Sequence, residues 1–482
     1  MPSTPKSQSR YGRLLTNTAV FSVGKLLSKL LVFFMTRLYT AYLTEADYST
    51  ADLIVNMANL LIPLACVGIS EGIFRNAAAR EGDKEAFFTN GLAVLGVGSL
   101  IFLALSPLVG LIPFFNGSVW LVVLYVLSAN LHSVVSQYLC AIGRTKLFAG
   151  QGILNTAFVV ALNILFLPVL GLGITGFVLS TIIADFLTTV ILVFATRLWR
   201  AVKPKSISWK TIRTMLRFCL PLVPTTIFWW ITGVSDRYMV AAMQSPETNG
   251  LYAAAYKIPT LLIYAVGIFD SAWKLSVSAE EDPEACCAFY SRVWRVYTTV
   301  AFLGGGALML LCRLFASLLF AESYRGAWIY IPLLTVATVF TALDTFLGSV
   351  YFTGRRTMWS MLTAMMGALL NIALNFLLIP SWDAAGASVA TFVSYFAVFL
   401  LRLATIRRLI PFKQEWPRWT VNTALSLLLA GFITLTGSDY AASIGEGILW
   451  TLAAVIFLVM LAFNARAIME VFHDAKKMLR GH

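Results

Sequence analysis

Residues 147–196 read LFAGQGILNTAFVVALNILFLPVLGLGITGFVLSTIIADFLTTVILVFAT, and over that length the one ionisable side chain is Asp185. A helix needs ~20 mostly apolar residues to cross ~30 Å of hydrocarbon. The Gly171-Leu172-Gly173 break divides the run into two such lengths, 147–170 and 174–198. Lys146 before the first and Arg197 within the end of the second mark the same side of a bilayer. The segment therefore predicts a helical hairpin through a membrane.

The pattern recurs along the chain. Further spans are expected at 14–43, 49–71, 87–113, 118–142, 214–244, 248–273, 296–320, 326–353, 357–380, 384–409, 419–437 and 444–466. With the first pair these make fourteen transmembrane helices in an all-α polytopic membrane protein. Composition agrees: 59% of residues are apolar and 12% charged, against ~45–50% and ~25% in an average soluble domain. So few charges cannot coat a water-facing surface. The net charge of +13 would suit nucleic acid in a soluble protein, but these cations sit in short loops or singly inside apolar spans, with no patch to meet a phosphate backbone. Six cysteines form no CxxC or Cys/His zinc spacing, and Met1–Arg13 is too polar to open a cleavable signal peptide.

Lysine and arginine set the orientation. With Met1 inside, 29 of the 36 fall on the inner side, including Arg197, Arg200, Lys203, Lys205, Lys210, Arg213, Arg217, Arg295, Arg402 and Arg418. Glu45, Asp47, Glu247, Glu322, Asp383, Asp439 and Glu446 fall outside. Both termini are then cytoplasmic. The chain also resembles itself at a spacing of about 200–212 residues. Gly143-Arg144-Thr145-Lys146, the 163–168 stretch Asn-Ile-Leu-Phe-Leu-Pro, Gly176 and Thr181 are answered by Gly354-Arg355-Arg356-Thr357, the 375–380 stretch Asn-Phe-Leu-Leu-Ile-Pro, Gly386 and Thr391. Each copy holds six spans and starts inside, so the halves are parallel, an arrangement found in transporters. The expected organisation is an N-terminal segment 1–13, a six-helix lobe 14–198, a basic linker 199–213, a second six-helix lobe 214–409, two further transmembrane helices within 417–466, and a basic tail 467–482.

Ionisable groups inside spans cost ~2.5–3.5 kcal/mol or more each, so each should face water or a partner. Lys25, Lys29 and Arg37 fall on one side of the first helix at 100° per residue. Arg237, Lys257 and Arg313 follow in the second half, opposed by Asp52, Asp185, Asp236 and Asp344. Cations gathered on spans one, seven and eight point to a positive cavity suited to a phosphate or diphosphate, with internal ion pairing as the competing reading, the favoured one for Arg313. His132 reads as a hydrogen-bonded packing residue rather than a proton relay. Asn371 and Asn375 share a helix face. With Asp236 and Thr391 they offer hard oxygens and one negative charge, a set suited to Na+ or a proton-linked switch. The sequence has no Walker A motif, the GxGxxG match at 171–176 lies in a turn with no strand before it, and the outer loops are too short to build an active site. Enzymatic chemistry is not expected.

Ser235-Asp236-Arg237-Tyr238-Met239, then Asn249-Gly250-Leu251-Tyr252 and the run to Lys257-Ile258-Pro259, resemble the polysaccharide flippases of the multidrug/oligosaccharidyl-lipid/polysaccharide exporter superfamily. The stretch from Asn375 to Pro380, with Ala385-Gly386-Ala387 and Thr391, is similar to that family's next landmark, and the likeness runs over 14–466. The resemblance implies two six-helix lobes around a V-shaped cavity that takes an undecaprenyl-diphosphate-linked glycan from the inner leaflet of the bacterial cytoplasmic membrane by alternating access. Lys25, Lys29, Arg37, Arg237 and Lys257 would hold the diphosphate. The sodium-site motif of the related lipid II flippases falls on Asp236, Asn371, Asn375 and Thr391, with Asn375 in place of a second acid, a departure that leaves proton-driven or potential-driven exchange open beside Na+. Polymerases and glycosyltransferases are the implied partners. An exporter of cationic drugs on the same fold is the alternative; its cavity should be acidic, which the surplus of cations disfavours.

Overall fold

The computed structural model describes residues 29–78, 83–115, 117–277, 283–353, 357–407, 412–438 and 443–480. Its helices are α1 (Thr36–Tyr42), α2 (Glu45–Ala65), α3 (Ile69–Ala78), α4 (Lys84–Leu105), α5 (Val119–Ala141), α6 (Thr145–Ile164), α7 (Gly173–Thr196), α8 (Trp209–Cys219), α9 (Leu222–Met243), α10 (Pro246–Lys257), α11 (Thr260–Val277), α12 (Pro283–Leu310), α13 (Cys312–Leu319), α14 (Ile331–Thr353), α15 (Thr357–Ile406), α16 (Trp416–Leu435) and α17 (Glu446–Arg480). No strand occurs among the described residues. Helix starts follow capping chemistry: the Thr44 hydroxyl accepts from the Asp47 amide at 3.2 Å, the Asp83 carboxylate from Glu85 and Ala86, and the Ser245 hydroxyl from Thr248 with Pro246 at the first helical position.

Ten of the described helices are long and apolar enough to cross a membrane, or eleven if the pair α2 and α3, bent by 55°, is one span. This is fewer than the fourteen expected spans, and the places where the two sets differ are identifiable. The first span begins in residues outside those described. The eighth, 248–273, is two helices, α10 and α11, parted where Pro259 withholds a backbone donor. Spans eleven and twelve are joined in α15, whose helical geometry is broken at Asp383 (φ 57°, ψ −147°).

α15 is in fact a tight antiparallel hairpin. Arg402 Nε donates to Thr363 Oγ1 at 3.2 Å, Asn371 Nδ2 to Thr391 Oγ1 at 3.4 Å, and a Cβ on Gly367 would meet Val398 at 2.5 Å. These partners are spaced symmetrically about residue 382. On a straight helix Thr363 and Arg402 would stand ~58 Å apart at 1.5 Å per residue. The turn closes on Gly386, where a Cβ would sit 2.5 Å from the Leu378 carbonyl oxygen. The same device closes the α6–α7 hairpin: a Cβ on Gly176 would sit 2.9 Å from Phe166 Cβ and 3.3 Å from the Phe166 carbonyl oxygen. Phe166 and Leu378 each lie two residues before the proline of their copy. The internal repeat is therefore also a repeat of backbone geometry.

The chain divides into two compact units, Met1–Trp230 and Ile231–His482, with the division inside α9. In the first, Cys66, Ile69, Ile73, Phe88, Val134, Tyr138 and Met215 form a buried cluster in which the Phe88 and Tyr138 rings stack at 4.2 Å. Lipid tails are as apolar as leucine, so such packing rests on close contact rather than on escape from water. Gly91 and Gly98 allow it, lying against Ile73 and the Ala65 carbonyl. The stretch before α8 is tied down rather than loose: Thr89 and Asn90 bond backbone groups of Ala201, Lys203, Ser206 and Ser208, and Lys203 Nζ lies 2.5 Å from Glu85.

In the second unit Trp294, Phe340, Phe346, Phe399, Phe412 and Trp419 pack ring to ring. The two C-terminal helices are joined to each other by a reciprocal amide pair, Asn422 with Asn464 at 3.2 and 2.7 Å. Arg295 and Arg418 both reach Glu415, and Arg295 also reaches Glu470.

Candidate functional site

In the second unit α9, α10 and both arms of α15 bring Asp236, Asn371, Asn375 and Thr391 into one cluster, all enclosed. Asp236 Oδ1 accepts the Arg237 amide at 2.9 Å, and Oδ2 accepts the Tyr252 hydroxyl at 2.6 Å and the Thr391 hydroxyl at 3.2 Å. Behind Thr391 the chain continues: Asn371 Nδ2 donates to Thr391 Oγ1, while Asn371 Oδ1 accepts from Asn375 Nδ2 at 3.0 Å and Ser235 Oγ at 3.1 Å. Local geometry explains the convergence. Asn371 and Asn375 are one helical turn apart, and the fold at Asp383 returns Thr391 to their level. Asn375 Oδ1, fully buried, accepts no hydrogen bond among the described residues. A carboxylate at the end of a donor chain, with a spare amide oxygen elsewhere in the same cluster, can take a proton or a small hard cation.

Sequence reasoning missed Tyr252 and Ser235 as members of this cluster. Both lie in the quoted motif, but neither shares the Asn371–Asn375 helix face, and a tyrosine shows as a carboxylate donor only once α10 is packed against α9.

The cations are placed differently. Lys25 lies outside the described residues. Lys29 is exposed, as is Arg37 on α1. Thr36, Tyr39 and Thr40 form the buried face of α1, with Tyr39 edge-on to Phe177 of α7 at 4.7 Å. Lys257, partly buried, ends α10. Arg237 is enclosed, its guanidinium 4.7 Å from the Tyr256 ring centroid, an arrangement favourable to a desolvated cation.

Two arginines depart from the depth expected of them, although Arg313 makes the ion pair that was its favoured reading. Arg313 was counted among the cations deep in spans. It is about one-third exposed, paired with Glu446 and Thr436, and set over the Trp328 and Trp450 rings. The helix restarts at Cys312, one residue before it, so it clasps the start of α17. Arg402 was counted among inner-side loop cations, yet it is 1% exposed. Its Nη1 donates to the Asp344 backbone carbonyl at 2.6 Å and its Nε to Thr363 Oγ1 at 3.2 Å, while both carboxyl oxygens of Asp344 are buried with no hydrogen bond among the described residues. A count of charges by span ends cannot see a long side chain that turns back into the bundle. Of the other in-span acids, Asp52 accepts from Asn56 at 2.8 Å. His132 is hydrogen-bonded in the first unit, its Nε2 2.7 Å from Gln151 Oε1.

Residues 14–273, just over half of the chain, match the family described as polysaccharide biosynthesis protein. No curated protein matches the chain. Solved structures do. An inward-facing multidrug resistance MATE family transporter of the MOP superfamily aligns at a TM-score of 0.66 and 14% identity, over 79% of this chain and 95% of that one. The lipid II flippase MurJ in an inward closed conformation aligns at 0.63 and 16%, over 93% and 100%. A MOP superfamily transporter from Pyrococcus furiosus, described as having a binding pocket of reverse polarity, aligns at 0.60 and 15%, over 82% and 96%. These likenesses give the fold: it is that of the MOP superfamily transporters.

Proposed function

The chain belongs to the polysaccharide biosynthesis protein family, and on that premise we propose that it is a flippase moving an undecaprenyl-diphosphate-linked oligosaccharide from the inner to the outer leaflet of a bacterial cytoplasmic membrane. One observation carries the reading: a polysaccharide-biosynthesis match over 14–273 in a chain that has a transporter fold. The proposed topology is fourteen spans in two parallel six-helix lobes and a C-terminal pair, with both termini cytoplasmic. The break of α15 at Asp383 supports counting that helix twice.

In this mechanism Lys25, Lys29, Arg37, Arg237 and Lys257 line a cationic path and hold the diphosphate, whose charge would otherwise bar it from hydrocarbon. The glycan crosses through the wet interior in alternating access, and no bond is made or broken. Asp236, Asn371, Asn375 and Thr391 form the coupling site. Their donor set fits Na+, with Asp236 as the charged ligand and Asn375 Oδ1 as an oxygen not already committed to a donor; bound there, the ion would supply one neutralising charge. A proton on Asp236 would supply the same neutralisation. Glycosyltransferases and a polymerase are the proposed working partners.

The test is glycan export from cells carrying Lys25→Ala, Lys29→Ala or Arg237→Ala at unchanged membrane levels. Export should fall in each, and undiminished export in all three would refute the mechanism. Similarity to the MATE transporter supports a second reading, export of small cations. On that reading drug efflux, rather than surface glycan, would respond to the same variants.

A further inference from the structure

Helices α5, α6 and α7 of the first unit hold a second, partly buried polar centre that the mechanism above does not use. His132 lies thirteen residues from the start of α5 and nine from its end, Asp185 twelve from the start of α7 and eleven from its end, and Asn155 midway along α6. At 1.5 Å per residue each is ~14 Å or more from either end of its helix, where an ionisable group is retained only for a use or a partner. The contacts form one circuit. Asp185 Oδ1 is 3.3 Å from His132 Nδ1 and accepts from Asn155 Nδ2 at 2.7 Å, and His132 Nε2 is 2.7 Å from Gln151 Oε1.

Each imidazole nitrogen therefore has an oxygen near it, Gln151 Oε1 in hydrogen-bonding geometry at Nε2 and Asp185 Oδ1 at ion-pair distance from Nδ1, which makes no hydrogen bond as placed. A neutral ring carries one N–H and satisfies one of them; an imidazolium carries two and satisfies both. The neutral ring is not excluded from the same site, because the Gln151 amide can turn over and offer its NH2 to Nε2. Both protonation states can thus be hydrogen-bonded in one backbone arrangement, and the neighbouring carboxylate balances the charge of the protonated one. A buried histidine kept only for packing needs no carboxylate.

Few other groups bear on this centre. On α5 itself Tyr125 lies within electrostatic reach of Asp185. α6 presents the neutral Gln151 and Asn155. α2 faces α5 with Cys66 and the Ile62 carbonyl, both on Asn130. α3 brings Glu71 to Gln137, more than a turn along α5, and α4 brings Glu85 near Tyr138 towards its end.

We infer that His132 and Asp185, with Gln151 and Asn155, form a proton-binding site at mid-membrane in the N-terminal unit, distinct from the Asp236 cluster, and that its occupancy sets the pH dependence of transport. The second clause rests on the transporter reading; the first does not. Binding adds one proton to the imidazole and breaks no covalent bond.

The experiment uses the full-length protein with 15N-labelled histidine in lipid nanodiscs. The sequence has three histidines, and the His132 resonance is identified by its loss in His132→Gln. Imidazolium signals from His132 should grow as pH falls from about 8.5 to about 5.5, a window around the ordinary histidine range. In Asp185→Asn the same growth should need a lower pH, because the balancing charge is gone. A His132 spectrum constant across that window, or one indifferent to Asp185→Asn, overturns the site. In cells, the ratio of glycan export at external pH about 6 to that at about 8 should collapse towards one in His132→Gln; a ratio equal to wild type overturns the role in transport. A chain that exports nothing but whose His132 titrates against Asp185 upholds the site and refutes the flippase reading.

Discussion

Replacing Asp236 by Asn removes the one negative charge of the proposed coupling site while leaving its shape. The amide oxygen can still accept the Arg237 N–H, and the amide nitrogen then faces the Tyr252 and Thr391 hydroxyls, which can rotate to accept from it. The ion-free fold should survive. Cation binding should not: two unit charges ~4 Å apart at an effective dielectric of ~20 interact by about 4 kcal/mol, so affinity should fall roughly a thousandfold. Thermal unfolding of the purified protein in NaCl against choline chloride at equal ionic strength reads this directly. At a sodium concentration a hundred times the dissociation constant, wild type gains about 2.7 kcal/mol. At that same concentration the variant would be about one-tenth of the way to its own dissociation constant and would gain roughly 0.1 kcal/mol or less. A variant that keeps the wild-type sodium shift refutes the placement of the site on Asp236. If proton is the coupling ion, the sodium shift is absent in wild type as well, and the pH dependence of melting is what Asp236→Asn must reduce.

Arg402→Leu would remove the side chain that donates to the Asp344 backbone carbonyl at 2.6 Å and to Thr363 Oγ1 at 3.2 Å; a loss of about 1.5–3 kcal/mol should appear as poor membrane accumulation or early melting. An Arg402→Leu protein that accumulates and melts as wild type does contradicts that bracing role. Gly386→Val would drive a Cβ to 2.5 Å from the Leu378 carbonyl oxygen, a backbone contact that cannot yield. Misfolding is expected from this variant, whereas Gly431→Ala, with nothing within 4 Å, should express normally. Tyr252→Phe removes the 2.6 Å donor to Asp236, a hydrogen bond to a charged group worth about 1.5–3 kcal/mol. Its melting point should fall where Asp236 is ionised and less so at acid pH; an equal loss at both would show that the phenol is there for packing.

Much of this molecule is legible in one dimension. Apolar run lengths against bilayer thickness determine that the chain is a membrane protein of many helices, because a backbone in hydrocarbon must satisfy its own hydrogen bonds. The recurrence of Asn, Pro and Gly landmarks determines the repeat, since a glycine required for close approach after a turn is required again in the second copy. The Asn371–Asn375 pair was also readable, because residues a turn apart share a helix face; that Asp236 and Thr391 join them was implied by the family resemblance and not by spacing. Only the tertiary structure decides which donor meets which acceptor. Tyr252 on Asp236, Arg402 turned back to Asp344, Arg313 over two tryptophans and Asp185 beside His132 each depend on the rotation of one helix about its axis relative to another. That rotation is set by the packing of side chains far from these residues in sequence, and no local pattern of charge or hydropathy records it.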